Sequence, residues 1–164
     1  EDPDVRCVLL SAEGRHFSAG LDLKEAAKMF FDGASTPSKA LLAGSLALGK
    51  LVGTGPSSPT EPGMPAMRNQ KLYRLIRRWQ QSISSLENCR LPVIAAVHGK
   101  CIGGAVDLVT AADIRMCTAD AEFGIKEVNV GIVADLGTLH RVERIIGRGI
   151  ARELAFTGRV LKSE

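Results

Sequence analysis

Three carboxylates stand among apolar neighbours: Asp107 in Gly103-Gly104-Ala105-Val106-Asp107-Leu108-Val109, Glu127 in Phe123-Gly124-Ile125-Lys126-Glu127-Val128, and Asp135 in Gly131-Ile132-Val133-Ala134-Asp135-Leu136. Burying an unpaired carboxylate is costly, so such a group is paired, protonated or used. Three of them close to a Gly-Gly turn suggest acid/base chemistry in a mostly apolar pocket. The structural alternative for each is a helix cap or an arginine partner. Asp135 in particular is placed to cap a helix starting at Leu136.

The second chemical feature is a pair of small-residue turns. Gly103-Gly104 falls between a buried strand and a helix, where unpaired N–H groups point outward. Such groups bind anions, or the oxyanion that develops on a carbonyl. Ser18-Ala19-Gly20-Leu21 offers a second turn of this kind. One N–H from each would make an oxyanion hole; tight packing alone is the competing explanation for either. The phosphate-binding GxxxxGK[ST] and dinucleotide-binding GxGxxG patterns are absent. His16, His98 and His140 are scattered and fit core or surface positions, Ser18 lacks a GxSxG elbow, and no spacing suits a metal.

The elements that must position these groups alternate in type. Buried strands are expected at 5–10 and 93–97, with a further strand at 114–117 and a short extended piece at 122–124. Helices are expected at 22–31, 71–88, 105–112, 136–146 and 149–156, the last two ended by Gly147 and Gly158. The clearest is 71–88, where Leu72, Leu75, Ile76, Trp79, Ile83 and Leu86 share one face and Lys71, Arg74, Arg77 and Arg78 form a solvated basic side. His140 to Arg144 reads as a helix face turned to solvent or to another subunit. Residues 32–70, with their Pro/Gly/Ser cluster at 54–63, read as an inserted or mobile loop, with a short helix possible over 40–51. Strands and helices joined through glycines indicate an α/β fold in a single core spanning 1–164. The ends look cut: the chain enters a strand almost at once, and Lys162-Ser163-Glu164 resembles the start of a helix.

Bulk properties narrow the function. The 164 residues suffice for one real core, at 45% hydrophobic and 24% charged. A net charge of +3 with 4% aromatic residues argues against nucleic acid and suits an anionic small ligand. Cys7, Cys89, Cys101 and Cys117 have no metal-type spacing and read as reduced thiols. No run is long and apolar enough to span a membrane, and no targeting signal is visible.

At these residues the sequence resembles the crotonase superfamily, the enoyl-CoA hydratase/isomerase family. The resemblance is carried by Phe17 to Leu23, Pro92 to Gly99, Cys101 to Leu108, Ala112 to Arg115, and Phe123 with Glu127 to Thr138. It implies a spiral of repeated ββα units, assembly as a homotrimer or homohexamer, and an acyl-CoA substrate with no separate cofactor or metal. It places the oxyanion donors at Leu21 and Gly104 and substrate contacts at Ala19, Gly20, Asp22 and Gly103. The acids separate the family's reactions: Asp107, Glu127 and Asp135 together are similar to the dienoyl-CoA isomerase branch of fatty-acid β-oxidation. There Glu127 and Asp135 would move the protons and Asp107 would orient the thioester end or tune its neighbours. Enoyl-CoA hydratase and Δ3-Δ2-enoyl-CoA isomerase are the alternatives, and an acyl-CoA- or RNA-binding relative is the non-enzymatic one. Departures include Ala105 in place of a third glycine and Asn129 where aspartate is common. Outer N-terminal strands and a C-terminal helical region would be missing, and the family expectation for compartment is the mitochondrial matrix or peroxisome.

Overall fold

Val93-Ile94-Ala95-Ala96-Val97 is apolar throughout, as a strand covered on both sides should be. In the computed structural model it is strand β2 of a parallel sheet, and Val93, Ala95 and Val97 are buried. The structure describes residues 3–22 and 64–163. The chain divides into two compact units, Glu1–Gly20 with Arg78–Glu164, and Leu21–Arg77. The expected helix at 22–31, the possible helix at 40–51 and most of the 32–70 segment lie outside the described residues.

In chain order the described elements are β1 (Val8–Leu10), α1 (Met64–Glu87), β2 (Val93–Val97), β3 (Lys100–Ile102), α2 (Gly104–Ala111), β4 (Ile114–Cys117), β5 (Glu122–Gly124), a 3-10 turn (Glu127–Val130), α3 (Thr138–Ile146), α4 (Arg148–Thr157) and β6 (Val160–Lys162). Strands β1, β2 and β4 pair in parallel, with Leu9 opposite Ile94 and Ile94 opposite Ile114. Strands β3 and β5 pair in parallel in a second sheet, and β6 closes it antiparallel to β5. Ser18 adds to that sheet beside Cys101: its N–H donates to the Lys100 carbonyl at 2.9 Å, and its carbonyl accepts from Ile102 at 3.0 Å.

Each pass of the chain therefore lays one strand in the first sheet and the next piece in the second. The sequence β1 then Ser18 is repeated by β2 then β3, and by β4 then β5. Helix α2 follows the second pass. This is a spiral of ββα units, because parallel neighbours require a crossover between them. The core lies inside it, formed by Val93, Val97, Cys101, Val109, Ile125 and Leu154 among others.

Several elements differ from the sequence reading. Helix α1 begins at Met64, so residues 64–70 are helical. Its face over Leu72, Leu75, Ile76, Trp79, Ile83 and Leu86 is the less exposed one, as the spacing predicts, and Lys71, Arg74, Arg77 and Arg78 are exposed. Lys162 ends strand β6 rather than opening a helix, since Val160 to Lys162 find partners in β5. The helix expected from 136 begins at Thr138 behind Gly137, whose φ of 113° halts it there. The strand expected at 5–10 is confined to Val8–Leu10.

Candidate active site

The turn between β3 and α2 supplies a backbone donor. Gly103 has φ 59° and ψ −127°, a conformation open to glycine but strained for other residues. Its own N–H is spent on the Gly124 carbonyl at 2.8 Å, and its carbonyl accepts from Val106 at 2.7 Å. Gly104 comes next as the first residue of α2, where intrahelical partners for N–H groups do not exist. Among the described residues its N–H meets no acceptor, and a Cβ placed on it would touch nothing within 4 Å. The small-residue segment before Leu21 packs directly on this turn. Gly20 has φ 90°, and a Cβ there would lie 2.7 Å from the Ile102 carbonyl oxygen and 3.7 Å from the Gly103 Cα. Gly20 N–H meets Ser18 Oγ at 3.2 Å. Gly20 and Gly103 thus form one seam, with Gly104 at its end and Ala19 next to Gly20 in the chain. Leu21 and Asp22 are exposed and belong to the other unit.

Glu127 lies beside that seam. Glu127 opens the 3-10 turn, and a Cβ on Gly103 would stand 3.3 Å from its Oε1. Its Oε2 is buried with no hydrogen-bond partner. Burial pushes the Glu127 carboxyl above its ordinary range, and the charges of Asp107 and Asp135 push it the same way. Asp107 is 1% exposed on α2. Its Oδ1 accepts the Thr138 N–H at 2.7 Å, so Asp107 caps α3 through space. Asp135 does not cap that helix: the residue in the cap position is Gly137, and the Thr138 N–H is taken by Asp107. Burial raises the Asp107 carboxyl, while the Thr138 hydrogen bond and the Arg141 charge pull the other way. Asp135 is exposed, and partial desolvation raises its carboxyl too. The Asp135 charge also pushes the Asp107 and Glu127 carboxyls up, as the smallest of the influences on each.

Polar residues that carried no signal in the sequence hold this arrangement. Arg141, in a stretch that reads as an outer helix face, turns inward and is only 12% exposed. It donates to Glu87 Oε2 at 2.9 Å, to the Leu136 carbonyl at 3.2 Å and to Ser84 Oγ at 3.4 Å. Gln80 Nε2 donates to the Asp135 carbonyl at 2.7 Å. Lys126 donates to the Gly158 carbonyl and ties the Glu127 turn to the end of α4. His16 and His98 serve the scaffold: His16 Nδ1 accepts from Lys100 N–H, and His98 Nε2 lies 2.9 Å from the Gly14 carbonyl. No cluster of three metal-ligating side chains and no membrane-length apolar helix occurs among the described residues.

The enoyl-CoA hydratase/isomerase family model matches residues 64–164. The chain belongs to the enoyl-CoA hydratase/isomerase family. It is 42% identical over 159 residues to the peroxisomal Delta(3,5)-Delta(2,4)-dienoyl-CoA isomerase of Arabidopsis thaliana, covering 97% of this chain and 48% of that protein. It is 40% identical over 158 residues to the mitochondrial Delta(3,5)-Delta(2,4)-dienoyl-CoA isomerase of Dictyostelium discoideum, covering 96% of this chain and 45% of that protein. Among solved structures, a Thermobifida fusca YX protein described as an enoyl-CoA hydratase, in complex with acetoacetyl-CoA, superimposes with a TM-score of 0.69 at 27% identity. That match covers 97% of this chain and 52% of the other. The chain spans about half the length of the curated relatives it matches. The family's spiral architecture is the one the two stacked sheets display.

Proposed function

We propose that this site isomerises 3,5-dienoyl-CoA to 2,4-dienoyl-CoA in the β-oxidation of unsaturated fatty acids. The feature that carries the reading is the third acid: Asp135 follows eight residues after Glu127, which lies against the Gly103 turn, and its charge pushes the Glu127 carboxyl up. Moving a conjugated diene requires proton transfers at two distant carbons, and so two separated carboxyl groups. The relatives named as dienoyl-CoA isomerases support the same substrate class.

In this mechanism one carboxylate removes a proton from C2. The electron pair spreads through the C3=C4 and C5=C6 bonds and onto the thioester oxygen, giving a dienolate. A carboxylic acid then delivers a proton to C6, leaving C2=C3 and C4=C5 with no atom gained or lost. Glu127 and Asp135 are the carriers, in an order left open. One of them must begin protonated, and the upward push on both carboxyls favours that state. Asp107, held by Thr138, stays in place as a charge that tunes Glu127. The Gly104 N–H receives the thioester oxygen as negative charge develops there, with Leu21 N–H as the second donor assigned by resemblance. Ala19, Gly20, Asp22 and Gly103 complete the substrate contacts. Coenzyme A enters as part of the substrate, so no further cofactor is required.

The same reading includes assembly as a homotrimer or homohexamer, for which the exposed Val128, Ile132 and Val133 beside the acids offer apolar surface. It includes a mitochondrial matrix or peroxisomal location, the compartments named for the relatives. The test uses full-length protein with a 3,5-dienoyl-CoA, following near-ultraviolet absorbance of the 2,4-dienoyl product. Steady formation of that product is expected. Hydration of 2-enoyl-CoA without any isomerisation would overturn the proposal in favour of a hydratase.

A further inference from the structure

The C-terminal half of α1 places Gln80, Ser84 and Glu87 at spacings of four and three, which puts them on one helical face. Gln80 contacts the segment that carries Asp135 directly, and Ser84 and Glu87 reach it through Arg141. Gln80 holds the Asp135 carbonyl at 2.7 Å. Ser84 and Glu87 hold the Arg141 guanidinium, which in turn holds the next carbonyl, that of Leu136, at 3.2 Å. Gly137 closes over the guanidinium so tightly that a Cβ there would stand 2.0 Å from Nη1. Two consecutive carbonyls of an otherwise exposed stretch are therefore tied to one helix. Ile132, Val133 and Asp135 itself are exposed while Ala134 is buried in the core, so beyond that one small side chain the loop is fixed by its polar contacts to α1.

We propose that Gln80 and Arg141 are positioning residues that set where Asp135 stands, so that α1 governs one end of the diene chemistry and not the other. This rests on the dienoyl-CoA isomerase reading, in which Asp135 and Glu127 serve different carbons. Glu127 is held by contacts that do not involve α1, the 3-10 turn and Lys126 anchored on Gly158. Loosening the α1 contacts thus displaces Asp135 while leaving Glu127 in place. The guanidinium's planar fork is needed to reach three acceptors at once, which a lysine does not reproduce.

The test measures solvent deuterium incorporation by full-length protein at each end of the diene. Exchange at C2 is read in the 3,5-dienoyl thioester and exchange at C6 in the 2,4-dienoyl thioester. Asp135→Asn identifies the carbon that Asp135 serves. Gln80→Leu and Arg141→Lys are then compared with wild type, with thermal unfolding as the check on folding. Gln80→Leu is expected to slow exchange at the Asp135-dependent carbon about tenfold, the equivalent of one lost hydrogen bond. Exchange at the other carbon and KM should be unchanged. Arg141→Lys should show the same selectivity and serves if Gln80→Leu does not fold. Equal slowing at both carbons, or none at either, would overturn the positioning role. If Asp135→Asn leaves exchange at both carbons intact, the assignment of Asp135 fails, and the positioning role fails with it.

Discussion

Alanine at Gly103 and alanine at Gly104 should have opposite effects on stability, although the residues are adjacent. Gly103 sits at φ 59° and ψ −127°, where a non-glycine residue carries a cost of about 1–3 kcal/mol. Its new Cβ would also press on Glu127 Oε1 at 3.3 Å, and the carboxylate must give way by a few tenths of an ångström. A loss of about 2 kcal/mol lowers the melting temperature of a chain this size by roughly 4–8 °C. Displacing Glu127 by a fraction of an ångström should lower turnover roughly tenfold. Gly104 has an ordinary helical position, and its Cβ would enter open space. Alanine there should leave stability unchanged or raise it by about 0.4–1 kcal/mol, because it restricts the unfolded chain. Yet that methyl group stands beside the N–H assigned to the thioester oxygen, so turnover should fall with no loss of fold. Thermal unfolding by circular dichroism and dienoyl-CoA absorbance read the two quantities separately. An unchanged melting temperature for Gly103→Ala, or full turnover by Gly104→Ala, would refute the reasoning.

Glu127→Gln should abolish turnover while raising the melting temperature at neutral pH, because the ionised carboxylate is held in a partly desolvated place with Oε2 unpaired. The pH dependence follows the same sign. The native carboxyls of Asp107 and Glu127 bind protons more tightly than unfolded ones, so stability falls as pH rises from about 4 through their raised values. Glu127→Gln should flatten that fall; an identical pH profile in the variant would count against it. Cys101 is fully buried and its thiol is pushed up to about 12, so a thiol reagent at mildly alkaline pH should label the exposed Cys7 and Cys117 and spare Cys101 until the chain unfolds. Labelling of Cys101 as fast as that of Cys117 would contradict the packing described.

Long periodic patterns were legible in the sequence. The apolar face of α1 and the continuous run of β2 each announce their burial through spacing and composition alone. Strands β3 and β6 have three residues each, too few for a period to register, and they exist because neighbouring strands pair with them. That is why Lys162 resembled a helix start and proved to end a strand. The acids were visible as charges in apolar surroundings, and Glu127 does lie against the Gly103 turn. Their individual environments were not visible. Asp107 is buried as a cap for a helix on another segment, and Asp135 is exposed, because both follow from tertiary placement. Gln80, Glu87 and Arg141 look like ordinary polar residues of helix surfaces, and their roles appear only when the loop is laid against α1. The Gly-Gly turn was legible more directly, since a Gly104 N–H without an acceptor among the described residues follows from local backbone geometry.

The central claim is that Asp135 makes this site an isomerase of conjugated dienes by serving a different carbon from Glu127. The direct measurement compares full-length wild type with Asp135→Asn and Glu127→Gln on 3,5-dienoyl-CoA, with circular dichroism confirming that each variant is folded. Turnover by wild type, lost in both variants, is the predicted result. Undiminished formation of 2,4-dienoyl-CoA by Asp135→Asn would contradict the claim and leave that residue a structural one.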